Sequence, residues 1–149
     1  MEDKRVFVDT NILLAATDTD REHHADAKSF LEGSFSGAWR AFACPQIFRE
    51  YLVVATRPVK NNGLGLSPAE ACGNVETFQK LVQTLSEGPS SQEKLAALIL
   101  RHNLKGKRIH DANLVATMEA HGLRLLKTYN PQDFRPFAQI SLLGHSLNQ

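Results

Sequence analysis

Four acidic residues stand where a folded chain seldom places carboxylates without a chemical reason. Asp9 directly follows the apolar run Val6–Val8, and Asp111 opens a stretch with apolar residues at helical spacing. Glu50 lies within another apolar helical pattern, and Asp133 lies in a turn after a later strand pattern. Converging carboxylates repel one another unless cations neutralise them, and oxygen ligands favour Mg²⁺ or Mn²⁺. Such a cation among acids suits hydrolysis of phosphodiester bonds.

Two of these acids have structural alternatives that differ in strength. Asp9 could simply cap the helix that follows it, so both interpretations stay open for this residue. Asp111 could serve the dipole of its own helix. However, it lies on the same helical face as three apolar residues, Leu114, Val115 and Met118. A carboxylate that faces the core needs a cation or hydrogen-bond donors, which favours the ligand interpretation for Asp111.

The other two acids are more ambiguous from sequence. Glu50 falls at the edge of an apolar helical arc, and it could form an ion pair with one of three basic residues, Arg49, Arg57 or Lys4. Asp133 could be an ordinary turn residue, because Asn130-Pro131 is itself a turn signal. Only the combined placement of all four acids, at two strand ends and on two helices, indicates a shared site.

Short apolar runs alternate with helical patterns along the chain. Strands are expected at residues 6–8, 41–44, 123–127 and 140–143. Helices are expected at residues 22–31, 45–56, 69–85, 92–102 and 111–121. This alternation predicts an α/β protein whose parallel sheet is flanked by helices. No linker or repeat divides the chain, so we expect one domain over residues 1–149 with a loose end at 145–149.

The composition limits the possible functions. The 149 residues carry a net charge of +1, so nucleic acid would have to bind through a local basic patch. We find no leader peptide and no apolar stretch of about 18 residues, so a cytoplasmic location is expected. Cys44 and Cys72 show no metal-ligand spacing and are expected to be reduced and buried. The histidines show no zinc-binding spacing either.

Four motifs in order resemble the PIN-domain nucleases, most closely the VapC-type toxins of bacterial toxin–antitoxin pairs. The motifs are Val8-Asp9-Thr10-Asn11-Ile12-Leu13, Arg49-Glu50-Tyr51-Leu52, His110-Asp111-Ala112-Asn113-Leu114-Val115-Ala116-Thr117 and Leu125-Leu126-Lys127-Thr128-Tyr129-Asn130-Pro131-Gln132-Asp133-Phe134. The resemblance extends over about residues 5–143. A single Asp-Thr-Asn would be weak evidence, but four motifs on suitable elements form a specific pattern.

The resemblance implies a three-layer α/β/α fold with a central, mostly parallel sheet. It also implies a Mg²⁺- or Mn²⁺-dependent endoribonuclease whose catalytic acids are Asp9, Glu50, Asp111 and Asp133. Asp9, Asp111 and Glu50 would be the metal ligands, and Thr10, Asn11 and Thr128 would orient an acid or its water. The family often has an acid two residues after this threonine, where this chain has Asn130. Either Asn130 or Asp133 would therefore complete the site.

The resemblance further implies an RNA substrate, a small antitoxin protein as partner, and a homodimer. We select two basic groups for RNA contact: Lys105, Lys107 and Arg108, then Arg57 and Lys60. Phosphate contacts of this kind position a strand without reading its sequence. The alternative for such residues is a solvated loop.

Three other functions compete with the toxin hypothesis. An RNA-processing nuclease of the same fold would share the acids but lack a toxin role. A catalytically silent RNA-binding module would have no need for Asp9 and Asp111 at the expected site. A metal-dependent phosphatase would need a second acid two residues after Asp9, where this chain has Asn11.

Overall fold

A single parallel sheet forms the centre of the protein. The computed structural model describes residues 3–144. Its strands are β1 (Arg5–Val8), β2 (Arg40–Ala43), β3 (Val82–Thr84), β4 (Leu125–Lys127) and β5 (Ser141–Leu142). Their order is β3-β2-β1-β4-β5, and every neighbouring pair is parallel. The expected mostly parallel sheet is therefore confirmed.

Six helices flank the sheet. They are α1 (Thr10–Thr17), α2 (His24–Ser36), α3 (Pro45–Thr56), α4 (Pro68–Leu81), α5 (Pro89–His102) and α6 (Arg108–Ala120). Short 3₁₀ turns occupy Val59–Asn61 and Pro131–Asp133. Helices α1 to α4 pack against one another, whereas α5 packs with α6. The two groups form the outer layers of the α/β/α arrangement that the resemblance implies.

The strand order reverses beside β1. From β1 the chain moves outward to β2 and β3, and then returns across the sheet to β4 on the other side of β1. Right-handed crossovers place the connecting helices of the two directions on opposite faces. A crevice then opens beyond the carboxyl ends of β1 and β4, which is where open α/β sheets bind ligands.

The core supports this crevice directly. All three apolar residues of β1, Val6, Phe7 and Val8, are fully buried because helices cover both faces of the sheet. Asp9 follows at once, so its position is fixed by the most buried strand in the fold. Asp111 lies in the first turn of α6. Leu114 and Val115, three and four residues later, are buried, as their helical spacing predicts.

Several predicted elements need correction. The helical spacing of Val75, Phe78, Leu81, Val82 and Leu85 suggested one helix through residue 85, but α4 ends at Leu81. Val82 instead pairs with Ala41 as the edge strand β3, because sheet hydrogen bonds outweigh a continued helix there. The sequence could not reveal this, since the apolar residues fit both periods.

Other boundaries shift by five residues or fewer. Helix α2 continues through Gly33 and ends before Gly37, whose positive φ of 89° closes it. Helix α6 begins at Arg108 rather than Asp111. Cys44 is buried as expected, but Cys72 is exposed on the outer side of α4, so that prediction was wrong. The expected loose end at 145–149 lies outside the described residues.

Most apolar side chains of α4 and of the segment that follows it are buried. In residues 69–85 the apolar side chains Val75, Phe78, Val82 and Leu85 are buried. On α5, Leu100 is exposed. Within the part of the chain that the structure describes, no helix is long and apolar enough to cross a membrane.

Candidate active site

Asp9 occupies the point where β1 passes into α1. Its carboxylate caps the helix by accepting a hydrogen bond from the Thr10 amide at 2.8 Å. The other carboxylate oxygen accepts from the Thr128 hydroxyl, also at 2.8 Å. The residue therefore does cap its helix, as the structural alternative proposed. Its second oxygen, which Thr128 orients from the residue after β4, leaves the ligand role open as well.

Glu50 faces the same crevice from α3. One of its carboxylate oxygens accepts from the Thr10 hydroxyl at 2.8 Å, and the other accepts from Gln46 Nε2 at 3.0 Å. Among residues 3–144, Glu50 forms none of the ion pairs that the sequence alternative proposed for it. Thr10 thus joins the first helix to the acid of the third.

Asp111 and Asp133 approach from the opposite layer. The Arg108 guanidinium donates to Asp111 Oδ2 at 2.8 Å and to the Asp133 backbone carbonyl at 2.8 Å. Arg108 therefore joins the first turn of α6 to the 3₁₀ turn after β4. Arg108, which we expected to contact RNA, forms an ion pair within the site.

The charges of these acids repel one another and affect their pKa values. Burial, with smaller contributions from the charges of Glu50 and Asp111, raises the pKa of Asp9 to about 6, against the two hydrogen bonds that lower it. Burial also raises the pKa of Asp111, and the Asp133 and Glu50 charges add to that effect. The four predicted acids thus lie in one electrostatic group, with Arg108 as a partial counter-charge.

The donor set of this group fits a hard divalent cation. The three expected metal ligands, Asp9, Glu50 and Asp111, are all carboxylates, and a bound cation would relieve the repulsion between their charges. Within residues 3–144, however, no three acidic, histidine or cysteine side chains already form a group that could hold a metal ion. The acids would have to draw closer together to bind one, and Asp111 Oδ2 already accepts a hydrogen bond from Arg108.

The polar residues around Asp9 connect it to the loop after β4. The Asn11 side chain donates through Nδ2 to the Thr128 hydroxyl at 3.4 Å. Its Oδ1 accepts from the Tyr129 backbone amide at 3.3 Å. The Asn130 backbone amide donates to the same Thr128 hydroxyl at 3.0 Å. Thr128 is thus the centre of a small network that orients Asp9. Asn130 itself is exposed, whereas Asp133 acts electrostatically on Asp111.

The remaining basic candidates lie at the protein surface. Lys105 and Lys107 are exposed in the turn before α6, and Lys60 is exposed in the 3₁₀ turn after α3. Arg57 is partly buried at the end of α3. These placements suit phosphate contact and suit solvated loops equally, so their role in RNA binding stays a prediction.

Three further polar residues support the site and were missed by the sequence analysis. Gln46, almost fully buried, also donates to the His110 carbonyl at 3.1 Å and accepts from Asn113 at 2.6 Å. Asn113 donates in addition to Glu87 at 3.1 Å, and Glu87 accepts from the Gln46 amide at 3.3 Å. The only sequence signal was a polar residue at a core-facing position of α3 and of α6.

The fold and the site together define a class of α/β/α proteins with an acidic crevice at the switch point of a parallel sheet. The PIN domain family profile matches residues 6–140. The chain therefore belongs to the PIN domain family.

Known relatives agree in extent and fold. Ribonuclease VapC48 of Mycobacterium tuberculosis is 27% identical over 136 residues, which cover 90% of this chain and 92% of that protein. A toxin–antitoxin complex from Klebsiella pneumoniae contains a similar chain, with a TM-score of 0.63, 22% identity and coverage of 91% of this chain and 95% of that one. VapC20 of M. tuberculosis, a toxin that cleaves the sarcin–ricin loop, gives a TM-score of 0.60 at 15% identity, over 81% and 86% of the two chains.

Proposed function

We propose that this protein is a divalent-metal-dependent endoribonuclease that acts as the toxin of a toxin–antitoxin pair. The observation that carries the proposal is the electrostatic group of Asp9, Glu50, Asp111 and Asp133 in the crevice of a PIN-family fold. The ribonuclease relative, which matches nine-tenths of this chain, supports the reaction class. The toxins among the similar structures support the biological role.

Each residue of the site has a defined task in this proposal. Asp9, Glu50 and Asp111 would hold Mg²⁺ or Mn²⁺, with Asp133 or Asn130 completing the set. The bound cation would supply charge that acidifies the attacking water and offsets the negative charge of the leaving oxygen. Thr128 and Thr10 hold the carboxylates of Asp9 and Glu50 in fixed orientations through their hydroxyls. Oriented ligands of this kind raise both metal affinity and activity.

The basic residues position the substrate in the proposal. Lys105 and Lys107 precede the helix that carries Asp111, so they would bind phosphates beside the scissile bond. Lys60 and Arg57 would bind the strand farther away. Arg108 would neutralise Asp111 until the cation and the RNA phosphate arrive, since its guanidinium already contacts that acid.

Cleavage with and without chelation tests the metal-dependent reaction. RNA is incubated with the purified chain and Mg²⁺ or Mn²⁺, then with EDTA, then with metal restored. We expect EDTA to stop cleavage and added metal to restore it. Asp9→Asn and Asp111→Asn should each lower kcat by roughly 100-fold or more, since each removes a charged ligand. The exposed Asp20 supplies the matched control variant, Asp20→Asn, which should keep full activity.

Two outcomes would redirect the assignment. Cleavage that survives thorough chelation would point to a metal-free ribonuclease that uses histidines, with His110 the first to be substituted. RNA binding without cleavage, in a folded chain supplied with metal, would instead favour the silent RNA-binding module.

A further inference from the structure

A cavity of about 400 Å³ adjoins the acidic crevice on the side of β4. Its walls are Asn11 and Ala15 of α1, the segment Arg21–His23 before α2, and Tyr129 and Asn130 after β4. Two of these residues, Asn11 and Asn130, also contact the Thr128 hydroxyl that binds Asp9. Thr128 alone therefore separates these two wall residues from Asp9, a candidate metal ligand. Its size is within the range of small-ligand sites, about 300–1,000 Å³.

Flat rings form one wall of this cavity. The His23 and Tyr129 rings stack nearly parallel, with centroids 4.1 Å apart and planes 14° apart. The Tyr129 hydroxyl donates to Asp26 at 2.6 Å, and the buried Lys127 ammonium lies 3.0 Å from the same carboxylate. This arrangement fixes the tyrosine ring before any ligand arrives. Pre-oriented aromatic rings are the feature on which unpaired bases stack in RNA-binding proteins.

The charges of the wall favour a base over a phosphate. The planar Arg21 guanidinium forms an ion pair with Asp18, with its Nε 3.4 Å from Oδ2. Glu22 lies beside it and would repel an anionic phosphate. The amides of Asn11 and Asn130 add both donors and acceptors at the edge of the cavity. A neutral heterocycle with hydrogen-bonding edges matches this lining, and a phosphate group does not.

We propose that this cavity binds the base of an unpaired nucleotide next to the scissile phosphate, with the His23–Tyr129 stack as its aromatic wall. The proposal rests on the proposed ribonuclease function and adds a position at which one base of the RNA leaves its stack and enters the cavity. His23 and Arg21 would then set which base is accepted at that position. They act on substrate choice, whereas the acids act on the bond.

An abasic scan with a cavity variant tests the proposal. A short single-stranded RNA is prepared with each base near the cleaved bond removed in turn. In the wild-type protein, one position should lose about tenfold in kcat/KM when its base is removed, as expected for one stacked base. In His23→Ala, activity on intact RNA should fall by a similar factor, and removing that base should cost nothing further. Phe35→Ala, which removes an aromatic ring exposed on α2, should keep the wild-type pattern.

Equilibrium binding in EDTA keeps this test independent of cleavage. Fluorescence anisotropy of the same RNAs should show the same non-additive loss of affinity for His23→Ala and for the abasic position, even if no RNA is cut. Arg21→Gln provides a second variant with the same expectation. His23 makes no side-chain cap for α2, so its replacement by alanine should leave the helix intact. The proposal is overturned if no abasic position matters, or if the penalty persists unchanged in both cavity variants.

Discussion

Asp9 serves the fold and the site at once, and the two uses conflict in the absence of metal. Its carboxylate caps α1 through the Thr10 amide, yet burial and the nearby charges raise its pKa from 3.8 to about 6. The folded state therefore binds the Asp9 proton more tightly than the unfolded chain does. Stability that comes from this proton is present below about pH 4 and is lost as the pH rises through about 6.

The variant Asp9→Asn should consequently stabilise the metal-free protein at neutral pH. An amide keeps an oxygen for the Thr10 amide but carries no charge to bury. A pKa shift of about two units corresponds to about 3 kcal/mol, so we expect a gain of about 1–3 kcal/mol near pH 7.5. The gain should nearly vanish near pH 4, where the wild-type carboxyl is protonated. Urea unfolding in EDTA across this pH range measures it.

The control for this experiment is Asp20→Asn, because Asp20 is exposed. Its free energy of unfolding should follow the wild-type curve at each pH. A gain for Asp9→Asn that is the same at pH 4 and pH 7.5 would show that charge burial is not its cause.

For single residues, the sequence predicted site positions where an acid follows or interrupts a regular apolar pattern. Asp9 after a buried strand and Asp111 on an apolar helical face could both be located without coordinates. Gln46, Asn113 and Glu87 could not, because their contacts join residues 26 to 67 positions apart. A buried glutamine leaves no local signal of the partners that the fold brings to it.

At the level of elements, Gln46 joins helix α3 to helix α6. Its side chain holds Glu50 on its own helix and the His110 carbonyl and Asn113 on the other. We expect Gln46→Met, which keeps the volume but no hydrogen bonds, to destabilise the protein by about 2–4 kcal/mol. Because Glu50 loses one of its two donors, kcat should also fall by about 10- to 100-fold.

Urea unfolding and steady-state cleavage of RNA measure the two effects separately. Gln79→Met is the matched control, since Gln79 is exposed on α4 and should tolerate the change in both assays. Full activity in Gln46→Met, together with lost stability, would limit Gln46 to a structural role.

The turn after α3 depends on a glycine for a different reason. A Cβ atom on Gly63 would lie 2.1 Å from the Arg57 carbonyl oxygen, too close for any side chain. Gly63→Ala should therefore destabilise the protein by about 2–4 kcal/mol, as measured by urea unfolding. Gly73→Ala is the opposite case, because Gly73 lies inside α4 with open space around it. That variant should be more stable by about 0.5–1 kcal/mol.

Equal destabilisation by the two glycine variants would show that the close approach to the Arg57 carbonyl is not the cause of the effect.

Some element boundaries could not be predicted from the sequence. The helix and strand periods overlap at residues 81–85, and only pairing with β2 decides between them. Strands β1, β2 and β4 were predictable because each is a short apolar run bounded by polar or turn residues.

For the whole molecule, the proposed toxin role has a direct consequence in cells. Expression of this chain alone should slow growth, because in this role it would cut RNA that the host itself needs. Co-expression of a neighbouring small reading frame should restore growth if it encodes the antitoxin. We expect that antitoxin to insert a basic side chain among the four acids, since an arginine fork matches carboxylates well. Growth curves with and without the second frame measure both effects.

The active-site variant Asp111→Asn is the control for toxicity, and its expression should be harmless. If the wild-type chain is equally harmless while the purified protein cleaves RNA well, a housekeeping role in RNA processing becomes the better explanation. The oligomeric state forms a separate prediction: light scattering of the purified chain should give the mass of a homodimer.

The pairing of β1 with β4 also determines when the candidate active site can form during synthesis of the protein. Asp9 lies near the start of the chain, whereas the Thr128 hydroxyl that orients it and the Asp133 charge arrive about 120 residues later. A ribosome making this protein exposes the first acid long before it has synthesised the last. The nascent chain therefore cannot assemble the crevice while residues 125–133 are still inside the exit tunnel. A polypeptide that stops before β4 should be inert, because it lacks both the Thr128 hydroxyl that orients Asp9 and the charge of Asp133.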